Sequence, residues 1–482
     1  MRAATCQVAT NSTHAGRGAT VKATHDLTAS ALSSAYRGNE LSPVEVAKAA
    51  LARIAAWENK INAMYVIDAA GALAQAVASE ARWRAGAPLS ALDGVPITIK
   101  DNIAVRGIPT PVGTAAGDPT PAGVDAPPAA RVREAGCIIL GKTTMPDFGM
   151  LVSGISSLHG TTRNPWNIAR NPAGSSSGAG AGLVAGYAPL ALGTDIGGSV
   201  RLPAAYNGVF ALKPSLGRVP IYPPFLGRVT GPMTRTVTDA ALLMTALTKP
   251  DPRDFMALPY QEIDWPGSLR GGVEGKRLGL LLDIGIGLTL QPAVCAAIEA
   301  AAKTFEGAGA LVEPVAPFLT AEIAAGVDGF FQARLLAEFQ QLSPERQAKV
   351  LPFIVTWCRR AEELSAADAA RNLALVMLMR EKAVAATEPY DFLLTPTSPI
   401  TAYAAEEATP GNDPFKPFEH IGFTVPFNMS EQPAASICAG YDADGMPIGL
   451  QIVGHRFDDI GVLRMASAYE AMRPAQRPWP EA

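Results

Sequence analysis

Ser199 stands directly behind Ile196-Gly197-Gly198. A first serine cluster, Gly174-Ser175-Ser176-Ser177-Gly178, lies upstream of it across the small and apolar stretch 183–192. A serine hydroxyl becomes a nucleophile only when a neighbour takes its proton. The tetrahedral oxyanion of acyl transfer also needs backbone N–H donors that approach closely. Ile196, Gly197, Gly198 and Ser199 offer such donors with little side-chain bulk in the way. A Gly/Ser-rich run alone reads as a linker or turn. This one leads into an apolar segment and a second glycine-serine turn, the pattern of two tight backbone sites held by a buried scaffold.

The proton acceptor has three sources. Five histidines, His14, His25, His159, His420 and His455, allow a Ser-His pair formed at long range. Lys100 ends the apolar run Val95-Pro96-Ile97-Thr98-Ile99, and burial at a strand end lowers a lysine's pKa until the neutral amine can act as a base. Lys142 ends a similar run, 137–140, and competes with it. Asp101-Asn102 can extend a polar network at Lys100, which favours Lys100. Thr194, Asp195 and Arg201 flank the second serine turn, the last two reading as an ion pair that fixes loop shape.

Several ordered motifs resemble the amidase signature family. They are Gly94-Val-Pro-Ile-Thr-Ile-Lys100-Asp-Asn, Gly141-Lys-Thr-Thr-Met-Pro-Asp-Phe-Gly149, Thr162-Arg-Asn-Pro-Trp-Asn167, Gly174-Ser-Ser-Ser-Gly178, Gly193-Thr-Asp-Ile-Gly-Gly-Ser-Val-Arg-Leu-Pro-Ala-Ala205 and Gly208-Val-Phe-Ala-Leu-Lys-Pro214. They are densest over 92–240. The resemblance implies an α/β fold: one large domain with a mixed central β-sheet covered on both faces by α-helices. It implies a Ser-cisSer-Lys triad, with Ser199 as nucleophile, Ser175 as a bridging serine behind a cis peptide bond, and Lys100 as terminal base. Here three consecutive serines stand where the family usually has two, so Ser176 and Ser177 remain alternatives to Ser175. The family's pocket runs past Gly149 and Met150, and Ser176 is expected on the substrate side. No metal or organic cofactor is required.

The expected reaction is hydrolysis of the C–N bond of small, largely apolar amides, including aryl amides, through an acyl-enzyme. Carbamates (urethanes) and esters are accessible to the same apparatus. Another branch of the family is the glutamine-hydrolysing A subunit of a tRNA-dependent amidotransferase. That branch holds glutamine with an acidic residue before a Phe-Thr-x-Pro segment. Ile421 takes the acidic position here, ahead of Phe423-Thr424-Val425-Pro426, with Glu419 nearby. A homodimer fits the family.

The elements that must position these turns alternate between strand and helix. Ser42-Pro43-Val44-Glu45 is a helix start with a capping box. Helices are expected over 71–84, 125–135 (with Asp125 as candidate cap), 177–186, 291–306, 321–341, 352–363 and 365–386, and 458–472 is expected to close the fold. Another helix is expected to open at Gly231. Strands are expected over 95–99, 137–140, 190–192, 276–282, 310–315, 392–395, 435–438 and 449–453, and 207–213 leads into a further buried segment. This is the rhythm of an α/β sheet. Leu373, Val376, Met377 and Val384 form an apolar stripe expected in the core. Tyr222-Pro-Pro-Phe-Leu226 is a candidate pocket wall.

The 482 residues are 48% hydrophobic and 17% charged, a composition that builds a large core. A net charge of −4 gives no basic footprint for nucleic acid. The five cysteines, Cys6, Cys137, Cys295, Cys358 and Cys438, are odd in number and scattered, which suits a reducing cytoplasm. No apolar run reaches membrane-span length, and 1–24 lacks the apolar core of a secretory signal. The expected organisation is a flexible N-terminal extension over 1–26, the catalytic domain over 27–475 and a short tail over 476–482.

Overall fold

The computed structural model describes residues 23–482. Its strands in chain order are β1 Met64–Ile67, β2 Pro96–Lys100, β3 Ile138–Thr143, β4 Ile155–Ser156, β5 Gly160–Thr161, β6 Leu190–Asp195, β7 Phe210–Lys213, β8 Val229–Thr234, β9 Arg277–Leu280, β10 Leu311–Pro314, β11 Phe392–Pro396, β12 Ala434–Tyr441 and β13 Pro447–Val453. Eleven of them form one sheet in the order β1-β3-β2-β6-β8-β7-β12-β13-β11-β9-β10, while β4 and β5 make a separate hairpin. The sheet is mixed. β3, β2 and β6 run parallel, as do β11, β9 and β10, and antiparallel strands join the two groups. Helices cover both faces, as the resemblance implies.

Side-chain alternation separates the two cores. Leu190 and Leu192 of β6, with Phe210 and Leu212 of β7, enter the core under the helices Val237–Leu247, Pro292–Gly307 and Asp459–Met472. Ala191 and Ala211 face the other way, onto Ala179, Leu183 and Val184 of the helix Ser177–Ala185. That helix is buried along its whole length. Its small residues make this possible: a Cβ on Gly178 would stand 2.1 Å from the Ala63 carbonyl oxygen. A further cluster joins Phe331, Leu335, Trp357 and Met379 of the C-terminal helices to Met150, Leu151 and Ile421 beside the site.

The Ser42–Glu45 capping box forms as read, opening the helix Pro43–Ile61. Three expectations are corrected. Gly231–Thr234 does not open a helix but ends β8, and the helix begins at Val237. A proline sits in β8 because β7 pairs only with Met233 and Thr234, leaving Pro232 no partner on that side. Asp125 does not cap the helix Pro127–Glu134; it binds the Arg133 guanidinium and the Arg106 N–H. On the helix Ala366–Thr387 the buried face is Val376, Met379 and Ala383, while Leu373 and Met377 are exposed, so the stripe as read is not the core face.

Residues 1–22 of the expected extension lie outside the described residues. Thr24–Asp26 form a single 3-10 turn, and the His25 carbonyl accepts from Arg235. The tail packs onto the domain: Trp479 lies against Trp166 and Arg235, and Glu481 pairs with Arg53 at 2.7 Å. Among the described residues no helix is long and apolar enough to cross a membrane.

Candidate active site

Lys100 is the last residue of β2 and Asp195 the last of the adjacent parallel strand β6. Ligand crevices in open α/β sheets form at such carboxyl ends. Register decides between the two lysines. Lys142 pairs with Ile99, one residue out of phase with Lys100, so the two amines leave opposite faces of the sheet. Lys100 emerges on the face of the Ser177–Ala185 helix. Lys142 instead donates to the Pro109 carbonyl (2.9 Å) and Thr110 Oγ1 (3.0 Å) and stands 3.7 Å from Asp101.

The Lys100 amine is fully buried, 2.7 Å from Ser175 Oγ and 2.9 Å from Thr194 Oγ1. Asn102 donates to the same Thr194 hydroxyl at 3.0 Å. Burial lowers the Lys100 pKa to about 7, against the opposing pull of the Asp195 and Asp101 charges. A neutral amine has two N–H donors and one lone pair. Thr194 can accept the donors, leaving the lone pair for the Ser175 proton.

The peptide bond before Ser175 is cis. Of the three serines, only Ser175 meets Lys100. Ser176 is fully buried: its N–H binds the Ser199 carbonyl (3.2 Å), its hydroxyl turns to the Thr194 carbonyl (3.4 Å), and it is absent from the cavity wall. The expectation of a substrate contact at Ser176 is therefore corrected; it ties the two serine turns together. Ser177 starts the helix, its hydroxyl facing the Thr144 carbonyl.

Ser199 stands just before the helix Arg201–Asn207, and its hydroxyl makes no hydrogen bond among the described residues. It lines two spaces. One is a cavity of about 490 Å³ shared with Ser175, Gly149, Met150 and Tyr222. The other is a pocket of about 30 Å³ walled by Met150, Val152, Phe331, Phe418 and Ile421. Gly149 and Met150 border both, and the 222–226 loop forms part of the larger wall, as read from sequence.

The expected oxyanion donors divide. Gly198 N–H already donates to Asp195 Oδ1 at 2.7 Å, so it is not free, which corrects the four-amide expectation. The N–H groups of Ile196, Gly197 and Ser199 have no acceptor among the described residues. Gly198 itself has φ 128°, and an added Cβ would meet Thr424 Oγ1 at 2.5 Å, so the turn requires glycine there.

Asp195 and Arg201 form the loop-shaping pair. Arg201 reaches Asp195 through Nε and Nη2, both at 3.0 Å, and is held from behind by the Thr424 carbonyl, Gln451 and Asn428. Burial pushes the Asp195 carboxyl up, but the charges of Arg201 and Lys213 and the Arg201 and Asn428 hydrogen bonds hold it well below the usual carboxylate range. That Thr424, Asn428 and Gln451 brace Arg201 was missed from the sequence, since they lie far along the chain. Their only signal was their place in otherwise apolar segments. Asp195→Asn would leave the Arg201 charge buried and unpaired. We expect a loss of about 3–5 kcal/mol in urea unfolding, with the second serine turn disordered.

No described histidine bonds Ser175 or Ser199, which removes the Ser-His reading there; His14 lies outside the described residues. His159 Nε2 lies 3.4 Å from Asp101, His455 faces the Tyr390 carbonyl, and His420 is buried without a partner.

The profile of the Amidase family matches residues 45–463. The chain is 34% identical to the A subunit of the Myxococcus xanthus glutamyl-tRNA(Gln) amidotransferase, over 92% of this chain and 97% of that one. It is 33% identical to an acylamidase of Rhodococcus erythropolis, over 93% and 96%. Its fold superposes on a bacterial aryl acylamidase with a TM-score of 0.86 at 29% identity, covering 92% and 96%. It also superposes on the peptide amidase of Stenotrophomonas maltophilia, with a TM-score of 0.81 at 27% identity, covering 95% and 98%. With a family match across most of its length and a mixed sheet like that of these hydrolases, the chain belongs to the amidase signature family and is an amidohydrolase.

Proposed function

We propose that the chain is a stand-alone serine amidohydrolase of small amides with a short apolar acyl group, aryl amides among them. The observation that carries this reading is the buried contact of the Lys100 amine with Ser175 Oγ at 2.7 Å, on a cavity that also holds Ser199. The neutral Lys100 amine takes the Ser175 proton as Ser175 takes that of Ser199. Ser199 Oγ forms a bond to the amide carbon. The carbonyl oxygen, now an anion, receives the N–H groups of Ile196, Gly197 and Ser199. The proton held on Lys100 returns through Ser175 to the amine nitrogen, the C–N bond breaks, and the amine departs. Water then attacks the acyl-enzyme by the same relay in reverse and frees the acid and Ser199. Carbamates and esters enter at the same step.

Apolar walls of about 30 Å³ beside Ser199 suit a short acyl chain. We expect kcat/KM on anilides to fall about a thousandfold or more from propionyl to octanoyl, since each of the five added methylenes that the pocket cannot take costs about 1–3 kcal/mol. Phe418→Ala should restore part of the longer-chain activity. A flat series would remove this pocket from acyl recognition.

The glutamine-hydrolysing reading has one observation in its favour, the 34% identity to an amidotransferase A subunit. Against it stands the pocket. Ile421 is buried in the apolar wall, and Glu419 bonds outward to Lys416 at 3.6 Å, so neither offers a carboxylate to a glutamine ammonium. The test is a panel assayed with the purified chain: 4-nitroacetanilide, an aryl carbamate, an ester and glutamine. Anilide turnover supports the proposal. Glutamine turnover alone, or activity only with added partner proteins, would replace it.

A further inference from the structure

The larger cavity carries two guanidinium groups that the reaction above does not use. Arg228 and Arg334 both line it, and both guanidinium groups lie over the Phe225 ring, 6.0 Å and 4.5 Å from its centroid. Arg334 has a carboxylate, Glu338, one turn along its helix at 3.3 Å, but that residue is half exposed and its attraction is screened by solvent. Arg228 has a single acceptor among the described residues, the Pro223 carbonyl. The other nearby carboxylate, Asp254, is taken up by the N–H groups of Ile221 and Met256 at 2.9 and 2.8 Å. The remaining charged group of the wall offers Arg228 nothing: Asp195 is closed off by Arg201. Burial, and then repulsion from Arg334, lower the Arg228 pKa to about 10, so it is still a cation at neutral pH with most of its donors idle.

Direction follows from Ser175, which borders this cavity and not the small apolar pocket. On the reading proposed above, Ser175 hands the proton to the departing amine, so the amine half of the substrate lies here. We propose that this side of the cavity is a subsite for an anionic group on that amine half, a carboxylate held by the Arg228 and Arg334 guanidinium groups with Phe225 beneath it. A guanidinium fork matches a planar carboxylate with two parallel hydrogen bonds, and a desolvated fork gains most from one. The substrate class is then N-acyl aminobenzoates and N-acyl amino acids.

The test compares 4-acetamidobenzoate with its methyl ester, as substrates, and 4-aminobenzoate with methyl 4-aminobenzoate, as calorimetric ligands of the wild-type enzyme. The acid should be preferred about tenfold in both measurements, the preference shrinking as salt is raised. Arg228→Met and Arg334→Met should each reduce the acid-to-ester ratio of kcat/KM. Arg228→Lys, keeping the charge without the fork, should fall between wild type and Arg228→Met. Because the readout is a ratio within one protein, a variant with less folded enzyme still reports it. Equal treatment of acid and ester by the wild type overturns the proposal, as does an equal loss on both in Arg228→Met, which would make Arg228 a donor to neutral oxygen only. Preferential binding of 4-aminobenzoate with no hydrolysis of either anilide would keep the anion site and instead reject the amidase reading.

Discussion

Ser199→Ala should abolish amide hydrolysis, lowering kcat by about a millionfold, the scale seen when the nucleophile of a serine hydrolase is removed. The fold should not notice. The hydroxyl makes no hydrogen bond among the described residues, and the Ser199 carbonyl that binds Ser176 belongs to the backbone and stays. Circular dichroism and the urea midpoint should therefore match wild type within error while turnover disappears. Residual activity within about tenfold of wild type would mean that another group attacks the carbonyl.

The second large effect concerns Lys100. As the base proposed above, its amine works only when neutral, and burial lowers its pKa to about 7. Below that value the ammonium dominates, so kcat/KM should rise between pH 6 and 8 and level off by pH 9, with about a tenth of the plateau remaining at pH 6. Lys100→Met should lose most of the rate together with this rise. Lys142, whose pKa burial brings to about 8, leaves the opposite face of the sheet, so Lys142→Met should keep the rise through pH 7. The same titration acts on stability. Between about pH 7 and the ordinary lysine value, the unfolded chain holds a proton at Lys100 that the folded chain does not. This residue's contribution to stability therefore improves as pH rises through that window, and its cost is full below pH 7. At pH 6 Lys100→Met should melt no lower than wild type. A kcat/KM that falls steadily from pH 6 to 9 would contradict a neutral-lysine base.

The proposed chemistry was legible in the sequence where short-range pattern carries it, and the roles of Ser199, Ser175 and Lys100 came from the family resemblance. A lysine ending an apolar run, a serine cluster ahead of a small-residue helix, and a serine behind two glycines marked the strand ends and turns of the site. What sequence left open was decided by long-range geometry. Lys142 and Lys100 look alike along the chain, and only the β2–β3 register sets them on opposite faces. Ser176 looks as available as Ser175 until the Ser199 carbonyl is seen to hold its N–H. Gly198 looks like a free donor until Asp195, three residues earlier, folds back onto it.

The errors in the fold have the same origin. A Gly-Pro pair reads as a break, yet β8 tolerates it where its neighbour has not yet begun to pair. The helix Arg201–Asn207 is a bare two turns with an internal proline, too short to show periodicity. Thr424, Asn428 and Gln451 brace Arg201 from more than two hundred residues away, a distance at which one chain does not show who pairs with whom.

The most direct test of the proposed chemistry is to locate the acyl group. The enzyme, mixed with 4-nitrophenyl acetate and quenched in acid, would be weighed intact and then mapped by peptide mass spectrometry. One acetyl group is expected on Ser199 in the wild type and none in Ser199→Ala. An acetyl group on Ser175, or one that persists at another residue in Ser199→Ala while amide turnover continues, would contradict Ser199 as the nucleophile.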